Sequence, residues 1–155
     1  MSDATAARPE AVTVTTTGRG VYAVEIASGP HRLTADEPLE VGGNDLGPRP
    51  HEYLLAALGA CTAITLRMYA NRRKIPLADV QVRLRHRKIK AADCPDCATK
   101  EGEVEEILRE ITLIGDLDDP TRAKLMEIAN KCPVHRTLSG EIKIRSNLAP
   151  TAVPA

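Results

Sequence analysis

The sequence predicts an α+β domain in which antiparallel strands surround a long buried central helix and a second helix. Three observations carry that expectation. Short β-prone runs open the chain, residues 12–17 (VTVTTT) and 21–26 (VYAVEI), separated only by Gly18-Arg-Gly20. A gap of that length containing glycine reads as a hairpin. A single apolar stretch then runs from His51 to about Arg73, interrupted only by Gly59, and two period-two segments follow before a second helical pattern opens at Asp118-Asp-Pro120. The order is three strands, a long helix, two strands, a helix and a strand, which favours antiparallel pairing.

Each element has a local cause. A third strand is expected at residues 31–34, after Gly29-Pro30, and residues 40–50 (EVGGNDLGPRP) read as a loop by their Gly, Asn, Asp and Pro content. Pro50 suits the first turn of a helix. Arg72, Arg73 and Lys74 place positive charge at the far end of that helix, and Pro76 stops it. Its first turns are apolar nearly all round, so the helix is expected to be buried. Gly59 and the alanines around it would let a second helix approach. Residues 80–89 (VQVRLRHRKI) alternate apolar with basic, and residues 107–114 (ILREITLI) form a matching strand. Asp118 caps a helix that ends near Cys132-Pro133, and residues 140–145 (GEIKIR) alternate again as a closing strand. One domain is expected over residues 11–146, with a flexible N-terminus at 1–10 and a flexible tail at 147–155.

Composition excludes several functions. A chain of 155 residues can bury roughly two-thirds of its unfolded surface in one core. Apolar residues make up 43%, yet Phe and Trp are absent and Tyr occurs three times, so stacking on bases has almost no means. The 21 basic residues balance 21 acidic ones without a one-sign block, which leaves no electrostatic footprint for nucleic acid or anionic lipid. No signal-peptide pattern opens the chain, and no run approaches the ~20 apolar residues of a membrane helix. A cytoplasmic protein without nucleic-acid or membrane partners is expected. In a reducing compartment its four cysteines are thiols, ligands or redox partners rather than permanent bridges.

Those cysteines carry the chemistry. Cys61 sits inside the apolar helix and Cys132 precedes Pro133 at a helix end, both places where a thiol can be desolvated and met by a partner. A free cysteine in such a helix is otherwise a small core residue. His135 and Arg136 lie nearby without an assigned role. Cys94 and Cys97 form a CPDC segment whose spacing fits half a zinc site or a dithiol switch. A single CxxC is weak evidence for either. His86 is the nearest further ligand, and Asp93 and Asp96 disfavour thiolates but favour a cation. Zinc at Cys94 and Cys97 therefore stays open, and no cofactor is otherwise required. Neither a phosphate loop nor HExxH nor GxSxG is present.

Residues 47–62 (GPRPHEYLLAALGACT), followed by 132–137 (CPVHRT), resemble the paired motifs of the OsmC/Ohr family of osmotically induced and organic-hydroperoxide-resistance proteins. The similarity extends from about Val12 to Arg145. It implies an intertwined homodimer and a thiol-dependent peroxidase in oxidative stress defence, with Cys61 peroxidatic, Cys132 resolving and an external dithiol as reductant. Desolvation raises a thiol pKa, so Cys61 needs a cation beside it. The resemblance makes that cation Arg19, held by a carboxylate at the start of the long helix. The position matching that carboxylate is His51, and Glu52 lies one residue later, about 100° around the helix. Either Glu52 serves after a small shift, or the arginine is held differently; Arg49 and Arg32 are further candidates. The apolar surroundings favour bulky hydroperoxides. The alternative is a non-enzymatic dimer that binds a small hydrophobe or, through Cys94 and Cys97, a metal.

Overall fold

A computed structural model describes residues 11–150. The N-terminal segment expected to be flexible, and the last residues of the tail, lie outside the described residues. The chain divides into two compact units with a boundary between Ala57 and Leu58.

The first unit holds an antiparallel sheet of β1 (Thr13–Thr16), β2 (Val24–Ser28) and β3 (His31–Ala35), in that order. The turn between β1 and β2 is longer than the sequence suggests: Val21 and Tyr22 belong to it, because Gly18 and Gly20 both adopt positive φ. Register runs Val14 to Ile26 and Ile26 to Leu33. The loop after β3 is organised by buried Asp36, whose carboxylate accepts the backbone N–H groups of Glu37 (2.8 Å), Asn44 (3.2 Å) and Leu46 (3.2 Å). Burial pushes this carboxyl up, but the three donors more than offset that, and it stays below the usual carboxylate range. A side chain at Gly43 would strike the Glu37 carbonyl, so the loop closes only on glycine.

Helix α1 spans Pro50–Arg73. Its start is closed by Glu52, which accepts the Arg49 N–H at 2.9 Å, and by the Tyr53 hydroxyl, which donates to the Thr34 carbonyl at 2.6 Å. Its end is a Schellman turn: Ile75 N–H bonds Ala70 O at 2.9 Å, Lys74 N–H bonds Asn71 O at 3.3 Å, and Lys74 takes the left-handed conformation. One stripe of the helix is buried, Leu58, Gly59, Thr62, Leu66 and Ala70, while Leu54, Ile64 and Met68 are exposed in the single chain. By length and hydropathy α1 could cross a bilayer, contrary to the expectation that no run suffices. Its buried stripe instead makes it a core helix.

The second unit is built on a two-stranded antiparallel ribbon, β4 (Leu77–Lys90) and β5 (Glu103–Gly115). Strand β4, rather than another helix, approaches Gly59: a Cβ there would lie 2.8 Å from Leu84 Cδ1. Helix α2 (Asp119–Ala129) starts on Asp118, whose carboxylate accepts Thr121 N–H at 2.9 Å. Arg122 fastens it to the end of β5 through the Leu113 carbonyl at 3.0 Å. Leu66 and Ala70 of α1 meet Leu77 of β4 and Leu125 and Ala129 of α2 to form the core.

Helix α2 ends at Ala129, close to the expected Cys132-Pro133, but Pro133 then opens a short, unanticipated helix α3 (Pro133–Ser139). Proline has no N–H, and it is tolerated in a first turn because a donor at that position would lack an intrahelical partner anyway. The closing strand at 140–145 is absent, and Ile142 and Ile144 are 53% and 89% exposed. Alternation prepares a strand, but a strand needs a neighbouring edge, and neither described sheet pairs with this one.

Gly115 ends β5 opposite Leu77, the first residue of β4. Its φ is +147°, and a Cβ would fall 2.2 Å from the Pro76 carbonyl oxygen. Gly115→Ala is expected to lower stability by ~1–3 kcal/mol in urea unfolding; a change within about 0.5 kcal/mol, the range of an ordinary surface substitution, would refute this account of the glycine.

Candidate functional site

The two cysteines singled out in the sequence come together in the second unit. Cys61 projects half-buried from the middle of α1, and Cys132 is completely buried at the N-cap of α3. The Cys61 thiol is near enough to Cys132 to help lower its pKa. The Cys132 sulfur also accepts the His135 N–H at 3.3 Å and sits 3.7 Å from the Thr62 hydroxyl.

Thr62 is the hinge of this arrangement. Its hydroxyl donates to the Leu58 carbonyl at 2.7 Å and accepts from Arg109 Nη1 at 3.0 Å. A hydroxyl has one proton, so Thr62 cannot serve Leu58 and a Cys132 thiolate at once. With Cys132 protonated, the thiol donates to Thr62. With Cys132 ionised, the hydroxyl turns its proton to sulfur, and the Arg109 bond holds its oxygen in place throughout.

Arg109 is the residue that the sequence reading missed. From β5 it reaches Thr62, the Ala129 carbonyl (3.4 Å) and Asn130 Oδ1 (2.7 Å). A signal existed. Ile107, Arg109, Ile111 and Leu113 share one parity of the strand and are all half-buried, so Arg109 is a charge on the apolar side of the alternation.

Electrostatics follow from this placement. Burial pushes the Cys132 thiol up, but the His135 N–H, the Thr62 hydroxyl, the Cys61 thiol and the Arg109 charge together outweigh it and leave the thiol below its ordinary value. Burial, then Arg109, also holds the His135 imidazole below its usual range, so it is neutral at pH 7. A groove of about 420 Å³ runs beside the site, with Leu58, Ile107, Met126 and Leu138 as its apolar lining and Arg109 and His135 among its polar groups.

The other predicted residues lie elsewhere. Arg19 is exposed in the β1–β2 turn, where its N–H bonds the Thr17 hydroxyl at 3.1 Å. Glu52 pairs with Arg49, N–O 3.5 Å, and Arg32 pairs with Glu25 at 3.6 Å. His86 pairs with Glu105 across the ribbon. Cys94 and Cys97 are joined in a disulfide at the tip of the ribbon, which is the oxidised form of the dithiol switch that the spacing allows. Three positions apart within a tight turn, their sulfurs meet directly. Cys94, Asp96 and Cys97 do present their ligand atoms within 4.8 Å of one another, but bonded sulfurs provide no thiolate for zinc.

Thr62→Val removes the acceptor of a half-buried guanidinium and is expected to cost about 1–3 kcal/mol. Arg109→Met should raise the Cys132 pKa, seen as a shift to higher pH of the thiolate absorbance that Cys132→Ser abolishes. An unmoved titration would show that Arg109 does not act on the sulfur.

The comparisons accord with this architecture. Residues 42–147 match the family model described as OsmC-like protein. Among solved structures, an OsmC-like protein from Mycoplasma pneumoniae superposes with a TM-score of 0.65 at 19% identity, covering 84% of this chain and 86% of that one. An organic hydroperoxide resistance protein OsmC from Legionella pneumophila gives 0.58 at 20%, covering 84% and 90%. The organic hydroperoxide resistance protein OhrB of Bacillus subtilis gives 0.56 at 21%, covering 84% and 91%. No match is found among curated proteins. With the family model spanning most of its length and the α+β fold shared, the chain belongs to the OsmC-like protein family.

Proposed function

We propose that this protein is a thiol-dependent peroxidase that reduces organic hydroperoxides in oxidative stress defence, with Cys61 as the peroxidatic and Cys132 as the resolving cysteine. One observation carries the reading: the two thiols are neighbours but unequally exposed, Cys61 half-buried and Cys132 sealed. A substrate can meet the first and not the second. Two relatives of the same fold bear the name organic hydroperoxide resistance protein.

The Cys61 thiolate attacks the terminal peroxide oxygen, the O–O bond breaks, and the alkoxide takes a proton and leaves as alcohol. Cys61 is then a sulfenic acid. The Cys132 thiolate attacks the Cys61 sulfur and expels hydroxide, which leaves as water after protonation. Two thiols have lost two electrons to the peroxide, and an external dithiol returns them. The donors around Cys132 suit this second step, because a lowered pKa enlarges the ionised fraction of the resolving sulfur. The apolar side of the groove rewards an alkyl group at roughly 25 cal/mol per Å², favouring bulky hydroperoxides over hydrogen peroxide. Arg109 is the cation of the pair. Arg19 and Glu52 enter as activators through the family resemblance, and the bond of Glu52 to Arg49 gives it a capping duty besides.

A second copy of the chain completes the fold in this reading. Leu54, Ile64 and Met68 on α1 and Ile142, Ile144 and Leu148 near the end are apolar and exposed in one chain, and an intertwined homodimer in the cytoplasm would cover them. The groove also favours the non-enzymatic alternative, a carrier of a small hydrophobe.

Treating reduced protein with one equivalent of cumene hydroperoxide separates the two. Wild type should consume it, Cys132→Ser should consume it and retain a sulfenic acid on Cys61 that dimedone traps, and Cys61→Ser should leave the peroxide at least about 100-fold longer, consistent with the loss of a catalytic nucleophile. Equal consumption by Cys61→Ser, or none by wild type, would exclude the peroxidase.

A further inference from the structure

We propose that Cys94 and Cys97 form a second redox site, a surface disulfide that exchanges electrons with an external dithiol independently of Cys61 and Cys132. The pair lies in the loop that joins β4 to β5, and both sulfur-bearing residues are half-exposed amid exposed neighbours. From Glu103 at the end of the ribbon to Arg109 is ~20 Å of strand at about 3.3 Å per residue. The two cysteine pairs of one chain are therefore too far apart for direct exchange.

The loop does not need the covalent link. Lys90 pairs with Glu103 in the ribbon register, and Ala91 N–H bonds Gly102 O at 2.8 Å. Inside the loop, Cys94 N–H bonds Ala91 O and Cys97 N–H bonds Cys94 O, each at 3.1 Å, while Lys100 Nζ donates to Cys97 O at 2.6 Å. A bridge spanning so few residues also removes little entropy from the unfolded chain, since that gain grows with loop length. Neither the ribbon nor the turn depends on it. Exposed disulfides with little structural duty are the ones that exchange.

The neighbouring charges distinguish the two sulfurs. Asp96 Oδ1 lies 3.3 Å from Cys94 Sγ and disfavours a thiolate there, whereas the Lys100 ammonium bonds the backbone carbonyl of Cys97 and so brings positive charge to that residue. An incoming thiolate thus attacks Cys94 Sγ, the Cys94–Cys97 bond breaks, and Cys97 departs as a thiolate beside Lys100. The second thiol of the reagent, once ionised, attacks its own sulfur in the mixed disulfide and releases Cys94. The protein pair gains two electrons and two protons, and the dithiol becomes a disulfide. A small dithiol or a dithiol-bearing protein meets these requirements.

Folded wild-type protein would be incubated with dithiothreitol, quenched in acid, alkylated and mapped by mass spectrometry, so that the peptide bearing Cys94 and Cys97 is read separately from Cys61 and Cys132. Reduction without unfolding, closure again on adding oxidised dithiothreitol, and reduction slowed about threefold or more in Lys100→Ala, the effect of a poorer leaving thiolate, are the expected results. A pair that stays oxidised until the chain is denatured would overturn the proposal in favour of a structural staple. So would a reduced pair that takes up one zinc ion per chain and fails to close. Because the peptide is read by itself, either result leaves the peroxidase reading to be judged on its own test.

Discussion

The arrangement around Cys132 depends on one half-buried cation. Arg109 extends from β5 to three neutral oxygens, the Thr62 hydroxyl on α1, the Ala129 carbonyl at the end of α2 and the Asn130 side chain just beyond it. That single side chain ties the ribbon to both helices. None of those three partners is a carboxylate, so the positive charge is not cancelled where it is held, and its field reaches both Cys132 and His135. An Asp or Glu in place of Asn130 would form an ion pair and withdraw that field from the sulfur.

The same constraint explains how a buried thiol becomes chemically useful. A sulfur removed from water normally stays protonated. Here the helix cap, the hydroxyl and the guanidinium replace the lost solvent with fixed donors, two of them organised by the fold before any substrate arrives. Cys61 keeps partial access, and the sealed partner behind it is protected from reagents that would bypass the first sulfur. In the proposed mechanism burial separates an outer from an inner thiol, while the Cys94–Cys97 bridge sits apart at the exposed end of the same ribbon.

Much of the fold was legible because its causes are local. Pro50 and the Lys74 to Pro76 stretch bound α1 to within a residue, Asp118 with Pro120 located the start of α2, and alternation identified β4 and β5. What was not legible depends on partners distant in sequence. The alternation at residues 140–145 promises a strand, yet no edge among the described residues receives it, and the short helix that Pro133 starts has no pattern of its own. The site divides in the same way. Cys61 and Cys132 stood out by their settings, but their meeting is a tertiary fact. Arg109 could have been found from its parity among Ile107, Ile111 and Leu113, had a charge on that side been weighed as a signal rather than as a solvated residue.

The most direct measurement is the disulfide map of reduced wild-type protein after one equivalent of organic hydroperoxide under native conditions. The account predicts a bridge between Cys61 and Cys132 that forms in step with peroxide loss. Peroxide consumed without that bridge, or Cys61 joined to any other cysteine, would contradict it.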